Sequence, residues 1–276
     1  METQQQVLIY DKDCPFCRWY TGIFVSTGLL AESGRIPFDQ ALESMDLVFD
    51  PLLSRNKIAL VNRETREVKY GVDSLLAVFG TRFRWIETIG SFPPVHFLLA
   101  LLYSFISYNR KVIAPSKCTG TCDCRPTRSY FWRIAFIVAC GLLVNLATGL
   151  YFTMQLGTYF TGVPVYTDLV FFTAQIAFQF VFFRLLKQDN FYDYAGQVSF
   201  VSAMGAVMLL FFHYGLLLLD TWGIEIGMLQ PFCYGVVYMF MFYEHARRLK
   251  ILELTSWLSV TWIVFRFCIY PFAFEL

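Results

Sequence analysis

Residues 134–153 run for 20 positions without a charged side chain. A chain with such a run must bury it on every side or place it in lipid. A helix rises about 1.5 Å per residue, so about 20 apolar residues match a hydrocarbon layer about 30 Å thick. Three more stretches behave alike: 165–183, with only Asp168 near its start, 198–219, with His213 inside, and 226–243. The four predict membrane spans. A fifth candidate, 254–274, is interrupted by Arg266, a costly group in lipid, which predicts that this segment packs against the bundle or lies at the interface. The charges divide accordingly: of 43 Lys, Arg, Asp and Glu residues, 29 fall in the first 133 positions and 14 in the last 143.

The loops predict an orientation. Arg110, Lys111, Lys117, Arg125, Arg128 and Arg133 precede the first stretch, Arg184 and Lys187 follow the second, and Arg247, Arg248 and Lys250 follow the fourth. The opposite loops, 154–164 and 220–225, contain no Lys or Arg. Eleven against zero places the N-terminal part on the cytoplasmic side. Residues 1–10 have no long apolar core, so no cleavable signal is expected. With a net charge of +1, bulk electrostatics give no reason to expect a nucleic-acid partner.

The first 112 residues read differently. Residues 7–10 form an apolar, β-rich run, and a helix is expected over 15–30, with Pro15 at its first position. A strand over 35–38, a helix over 40–49, a hairpin from 57–62 and 67–70, and helices over 73–79 and 83–89 follow. This is the thioredoxin order of elements. Residues 94–108 predict an apolar helix too short to span, either a core helix or one lying on a membrane surface. The expected organisation is an α/β thioredoxin-like domain over 1–112, a cysteine-containing linker over 113–130, and an all-α transmembrane bundle of four to five spans over 131–276.

Asp11-Lys12-Asp13-Cys14-Pro15-Phe16-Cys17 stands at the first strand-to-helix turn. A cysteine at a helix N-cap meets unpaired N–H groups and the positive end of the helix dipole, both of which favour the reactive thiolate. Cys14 is therefore the expected nucleophile, and Cys17, one turn on, the expected resolving thiol. Half of a zinc site and a pair of inert thiols are the competing readings. Asp11 either takes the proton of Cys17 or ends the strand and caps the helix.

The Asp-x-x-Cys-x-x-Cys pattern at Asp11, Cys14 and Cys17 resembles the DCC family of predicted thiol-disulfide oxidoreductases. Tyr70-Gly71-Val72-Asp73-Ser74 and the apolar helix ending in Tyr108-Asn109-Arg110 resemble it too. The similarity covers about residues 6–112 and implies a compact thioredoxin-like fold with dithiol chemistry. Thioredoxins carry a cis-proline just before the third strand, where substrate docks. Here that place is near Arg55-Asn56-Lys57 and the nearest proline is Pro51. The membrane half is weakly similar to four-helix DoxX or MauE-like redox-associated proteins.

A second cluster, Cys118, Cys122 and Cys124, lies in the linker. It reads as a second dithiol relaying electrons, a metal site one ligand short of four, or free thiols. Cys140, Cys233 and Cys268 read as packing residues. Asn145, Gln175, Gln179, His213 and Arg266 are polar groups at membrane depth. Interhelical hydrogen bonds account for the amides, and His213 and Arg266 are candidate sites.

The sequence thus predicts a multi-pass, membrane-anchored thiol-disulfide oxidoreductase acting on a protein dithiol or disulfide, in contact with the bilayer. It requires no cofactor, and a quinone is one candidate membrane partner. The rival reading is a transporter or lipid-handling protein whose N-terminal domain senses redox state. A third is a metal-handling protein.

Overall fold

A computed structural model describes residues 5–117, 125–155, 166–227 and 229–269. The chain is mostly helical with one small mixed sheet, and it divides into two compact units, Met1–Arg133 and Ile134–Leu276. The linker cysteines Cys118, Cys122 and Cys124 lie outside the described residues, as does the side chain of Cys268.

The first unit is built on strands β1 (Gln6–Tyr10), β2 (Arg35–Pro37), β3 (Ala59–Asn62) and β4 (Val68–Tyr70), in the order β2-β1-β3-β4. β1 runs parallel to β2 and antiparallel to β3, and β3 and β4 form the expected hairpin. Side chains alternate across a strand, and the two faces are covered differently. Val7, Ile9, Ala59 and Val61 pack with Phe38 and Ala41 of helix α2 (Phe38–Glu43). Leu8 and Leu60 pack with Phe24 of α1 (Pro15–Ser26) and with Ala77 and Val78 of α4 (Val72–Gly80). Helices α5 (Arg84–Gly90) and α6 (Pro93–Ile113) complete the unit.

Several boundaries differ from the sequence expectation, and the helix expected over 15–30 ends at Ser26. The helix expected over 40–49 ends at Glu43, and a separate helix, α3 (Pro51–Asn56), follows. Asp50 starts it by accepting the Leu52 and Leu53 N–H groups on Oδ1 at 2.8 and 3.1 Å, and Pro51 takes the first helical position. The helix expected over 94–108 continues to Ile113. Asn109 and Arg110, which read as a polar stop, are buried on its inner face. Asn109 Nδ2 donates to the carbonyls of Phe105 (2.8 Å) and Trp132 (3.1 Å).

The Tyr70–Ser74 motif locks α4 and α6 to the hairpin. Ser74 Oγ donates to the Ile58 and Lys69 carbonyls, and Tyr103 of α6 accepts the Ile58 N–H at 2.8 Å. Gly71 precedes α4 with φ +64°, and a Cβ there would stand 3.3 Å from the Tyr103 ring. The dihedral calls for glycine, and a Cβ would also press on the ring. Gly71→Ala should therefore lower stability by about 2 kcal/mol, read as a downward shift of the thermal unfolding midpoint of the detergent-solubilised chain.

The second unit contains the long helices α7 (Tyr130–Gln155), whose first turn holds the boundary between units, α8 (Thr167–Leu185), α9 (Phe191–Thr221) and α10 (Leu229–Leu252), then α11 (Trp257–Val264) running into a π-helical turn, Phe265–Ile269. Three segments are long and apolar enough to cross a membrane: Tyr130–Tyr151, Thr167–Leu185 and Phe191–Thr221. α5 and α6, bent by 90° to one another, pass the same test only when taken together, as a broken span or a re-entrant loop would. The fourth span expected over 226–243 falls for the most part in α10, which does not meet that test among the described residues. The reason is polarity at both ends of the helix: Gln230 and Pro231 at one, Glu244, His245, Arg247, Arg248 and Lys250 at the other. In the fifth candidate the apolar helix covers only Trp257–Phe267.

Candidate redox site

Cys14 caps α1 with an extended backbone (φ −91°, ψ 111°), and its Sγ accepts the Cys17 N–H at 3.3 Å. Its own N–H donates to the Asp11 carbonyl at 3.2 Å, so Asp11 shapes the turn from which the cysteine projects. Pro15 follows as the first helical residue, where its missing N–H costs nothing. Both cysteines are buried, as free thiols.

The two sulfurs have opposed acidities. The Cys17 thiol donates to the Cys14 sulfur, and with the Cys17 N–H and the Arg110 charge it outweighs burial, bringing Cys14 down from 9.0 to about 7. The same hydrogen bond, seen from the donor, pushes Cys17 well above the ordinary thiol value, and burial adds to it. At neutral pH Cys14 is thus partly thiolate while Cys17 holds its proton. The first is the better nucleophile and the second a proton-bearing reserve thiol.

Sequence reading gave Arg110 no role at the thiols: it entered there as a loop charge and as the end of the Tyr108-Asn109-Arg110 stretch. It is buried on α6, and its Nη2 lies 3.5 Å from Asp11 Oδ2, with Lys111 Nζ 3.4 Å from the same oxygen. Asp11 Oδ1 meanwhile accepts the Asp13 N–H at 3.0 Å. The carboxylate therefore does two jobs: it orders the turn and it holds the guanidinium beside the thiols. Arg110 favours thiolate on both cysteines and Asp11 opposes it. All three stretches that carry the sequence resemblance converge here. The Cys-x-x-Cys turn supplies the sulfurs, Tyr108-Asn109-Arg110 the cation, and Tyr70–Ser74 the joint that seats α6.

Cys17, Asp11 and Arg110 also line a cavity of about 630 Å³ within this unit, walled mainly by aromatic and aliphatic side chains. Among the described residues no three His, Cys, Asp or Glu side chains converge as a metal site would require.

The polar residues of the helical unit are not brought into one site. His213 is buried in α9 with its ring centroid 6.3 Å from that of Tyr151. Arg266 Nη2 lies 3.4 Å from Ser202 Oγ, and its guanidinium stands over Trp262 and Tyr238. Ser202 and His213 are about 16 Å apart along α9 at the usual helical rise. Asn145 Oδ1 accepts the Leu169 N–H, and Gln179 Oε1 accepts from Tyr194 (2.8 Å) and Thr261 (3.2 Å), which is interhelical bonding of the expected kind. Gln175 and Cys140 are buried.

A second polar network escaped the sequence reading. Arg248, expected as a loop charge, is buried in α10. It donates Nε to Glu244 Oε1 at 2.7 Å and Nη1 to Gln197. Beside it His245 contacts Ser259 Oγ at 3.0 Å and the Tyr194 hydroxyl at 3.2 Å. The Glu244/Arg248 spacing of one helical turn was the available signal.

No family model, curated protein or solved structure matches the chain.

Proposed function

We propose that the chain is a membrane-anchored thiol-disulfide oxidoreductase, with Cys14 as nucleophile and Cys17 as resolving thiol. The observation that carries this reading is the asymmetric pair: Cys14 at the α1 N-cap, receiving hydrogen bonds from Cys17 and facing Arg110. The sheet order β2-β1-β3-β4, with helices on both faces, supports the thioredoxin-like fold implied by the resemblance to the DCC family. The apolar helices support anchoring, and the loop charges support a multi-pass protein whose redox unit faces the cytoplasm.

In the reductive direction the Cys14 thiolate attacks one sulfur of a protein disulfide. A mixed disulfide forms and the first substrate thiolate leaves. Cys17 then gives up its proton, Asp11 being the nearby carboxylate, and attacks the Cys14 sulfur. The Cys14–Cys17 disulfide forms and the second substrate thiolate is released. Oxidation of a substrate dithiol runs the same steps in reverse. Equilibration of the purified chain with glutathione buffers of graded potential tests this. Cys14 and Cys17 should appear together as one two-electron disulfide, resolved by mass spectrometry of their shared peptide. A pair that never closes at any potential contradicts it.

The buried Glu244, Arg248, His245 and Tyr194 network favours a second reading. In it the helices handle a polar or amphiphilic solute and the first unit senses redox state.

A further inference from the structure

The 630 Å³ cavity lies within the usual range for small-molecule sites, about 300–1,000 Å³. Its walls are rich in rings, including Phe16, Tyr20, Phe24, Phe38, Phe79 and Tyr103. Polar groups are few, and several are near the redox pair: Cys17, Asp11, Arg110, Ser107 and the Tyr20 and Tyr103 side chains. Apolar side chains that also line the cavity reach the surface, Phe16 at 37%, Ile23 at 38% and Phe83 at 40% exposure. Beyond them, α5 and α6 present Trp85, Phe97 and Leu98 to the outside. An opening dressed this way admits a molecule that partitions into lipid more readily than one dissolved in water.

Resting on the dithiol reading above, we propose that this cavity binds a lipophilic quinone, which accepts electrons from the Cys14–Cys17 pair. Three features select that chemistry. A wall of aromatic rings, tilted or edge-on to one another, suits a flat, conjugated head group. The guanidinium and the tyrosine hydroxyls are donors, matching the two carbonyl oxygens of a quinone, whereas a fatty carboxylate would need a cation and Arg110 already faces Asp11. The sulfur in the wall is Cys17, while Cys14 is not part of the lining. The occupant is therefore not the substrate joined to Cys14 in a mixed disulfide. The exchange balances. The reduced pair loses two S–H bonds and gains one S–S bond, giving up two electrons and two protons. Each quinone carbonyl oxygen takes one hydrogen and the quinone leaves as hydroquinone.

The test uses the full chain in detergent, without oxygen, with a short-tailed benzoquinone as probe. Binding is measured first in a Cys14→Ser/Cys17→Ser background, by quenching of tryptophan fluorescence, so that it does not depend on redox chemistry. Ile23→Trp narrows the cavity opening, and Met45→Trp, at a fully exposed position outside the lining, is its control. The expected result is saturable binding, weakened at least tenfold by Ile23→Trp and unchanged by Met45→Trp. With the native cysteines, one disulfide should form per hydroquinone. Absence of saturable binding, or binding indifferent to Ile23→Trp, overturns the proposal while leaving glutathione exchange to speak for the redox pair. Binding without disulfide formation overturns the electron-acceptor role. Loss of exchange with a peptide disulfide in Ile23→Trp, with no quinone bound, would mark the cavity as a peptide cleft and overturn it also.

Discussion

In Cys17→Ala the alkylation rate of Cys14 at pH 7 is expected to fall at least about tenfold, with its pH midpoint moving from about 7 toward 9.0. The Cys17 thiol is the largest influence holding Cys14 down, and its removal leaves burial opposed by less. The sign follows from the reactive form. Only thiolate attacks, so in the native chain the rate is high above pH 7 and drops as pH falls through the Cys14 value. In the variant the same drop begins at higher pH. Mass spectrometry of the peptide carrying Cys14, after timed iodoacetamide pulses from pH 5 to 10, separates this thiol from the linker cysteines. A midpoint that does not move would mean that the helix terminus alone, and not the partner thiol, sets the reactivity.

Arg110→Ala should slow disulfide exchange at pH 7 by about tenfold, the scale of one pH unit in thiolate supply. It removes the cation that favours both thiolates and leaves the Asp11 carboxylate, which opposes them. Because the pair is buried, losing one partner also destabilises the fold, by about 3 kcal/mol. The pH profile separates the two effects. A shifted midpoint with the plateau retained is electrostatic, whereas a lowered plateau at an unchanged midpoint is structural. Arg110→Lys keeps the charge and should recover part of the midpoint.

What the chain revealed before folding was local. Cys14 at a strand-to-helix turn could be read from Asp11 to Cys17, because an N-cap is defined by its immediate neighbours. The β3–β4 hairpin and the three apolar helices long enough to cross a membrane could be read for the same reason. Arg110 could not. A cationic residue after an apolar run looks like a helix end or an orientation signal, and only the packing of α6 against α3, α4 and α5 brings it to the sulfurs. Arg248 was hidden in the same way, its pairing with Glu244 legible in the spacing but its burial against Gln197 not. α3 was missed because residues 50–56 were assigned to no element, although Asp50 followed by Pro51 is a helix start. The Tyr70–Ser74 motif was visible only as a resemblance. Its physical content, a glycine at φ +64° against Tyr103 and a serine bridging two strands, depends on partners distant in sequence.

The most direct measurement of the central claim is a trap. The Cys17→Ser chain, in membranes, is allowed to exchange with its surroundings and quenched with acid, and the disulfide-linked species are identified by mass spectrometry. With the resolving thiol gone, mixed disulfides should accumulate on Cys14, vanish in Cys14→Ser/Cys17→Ser, and be absent when Cys17 is intact. Mixed disulfides found on Cys17 in the Cys14→Ser chain but never on Cys14 in the Cys17→Ser chain would contradict it.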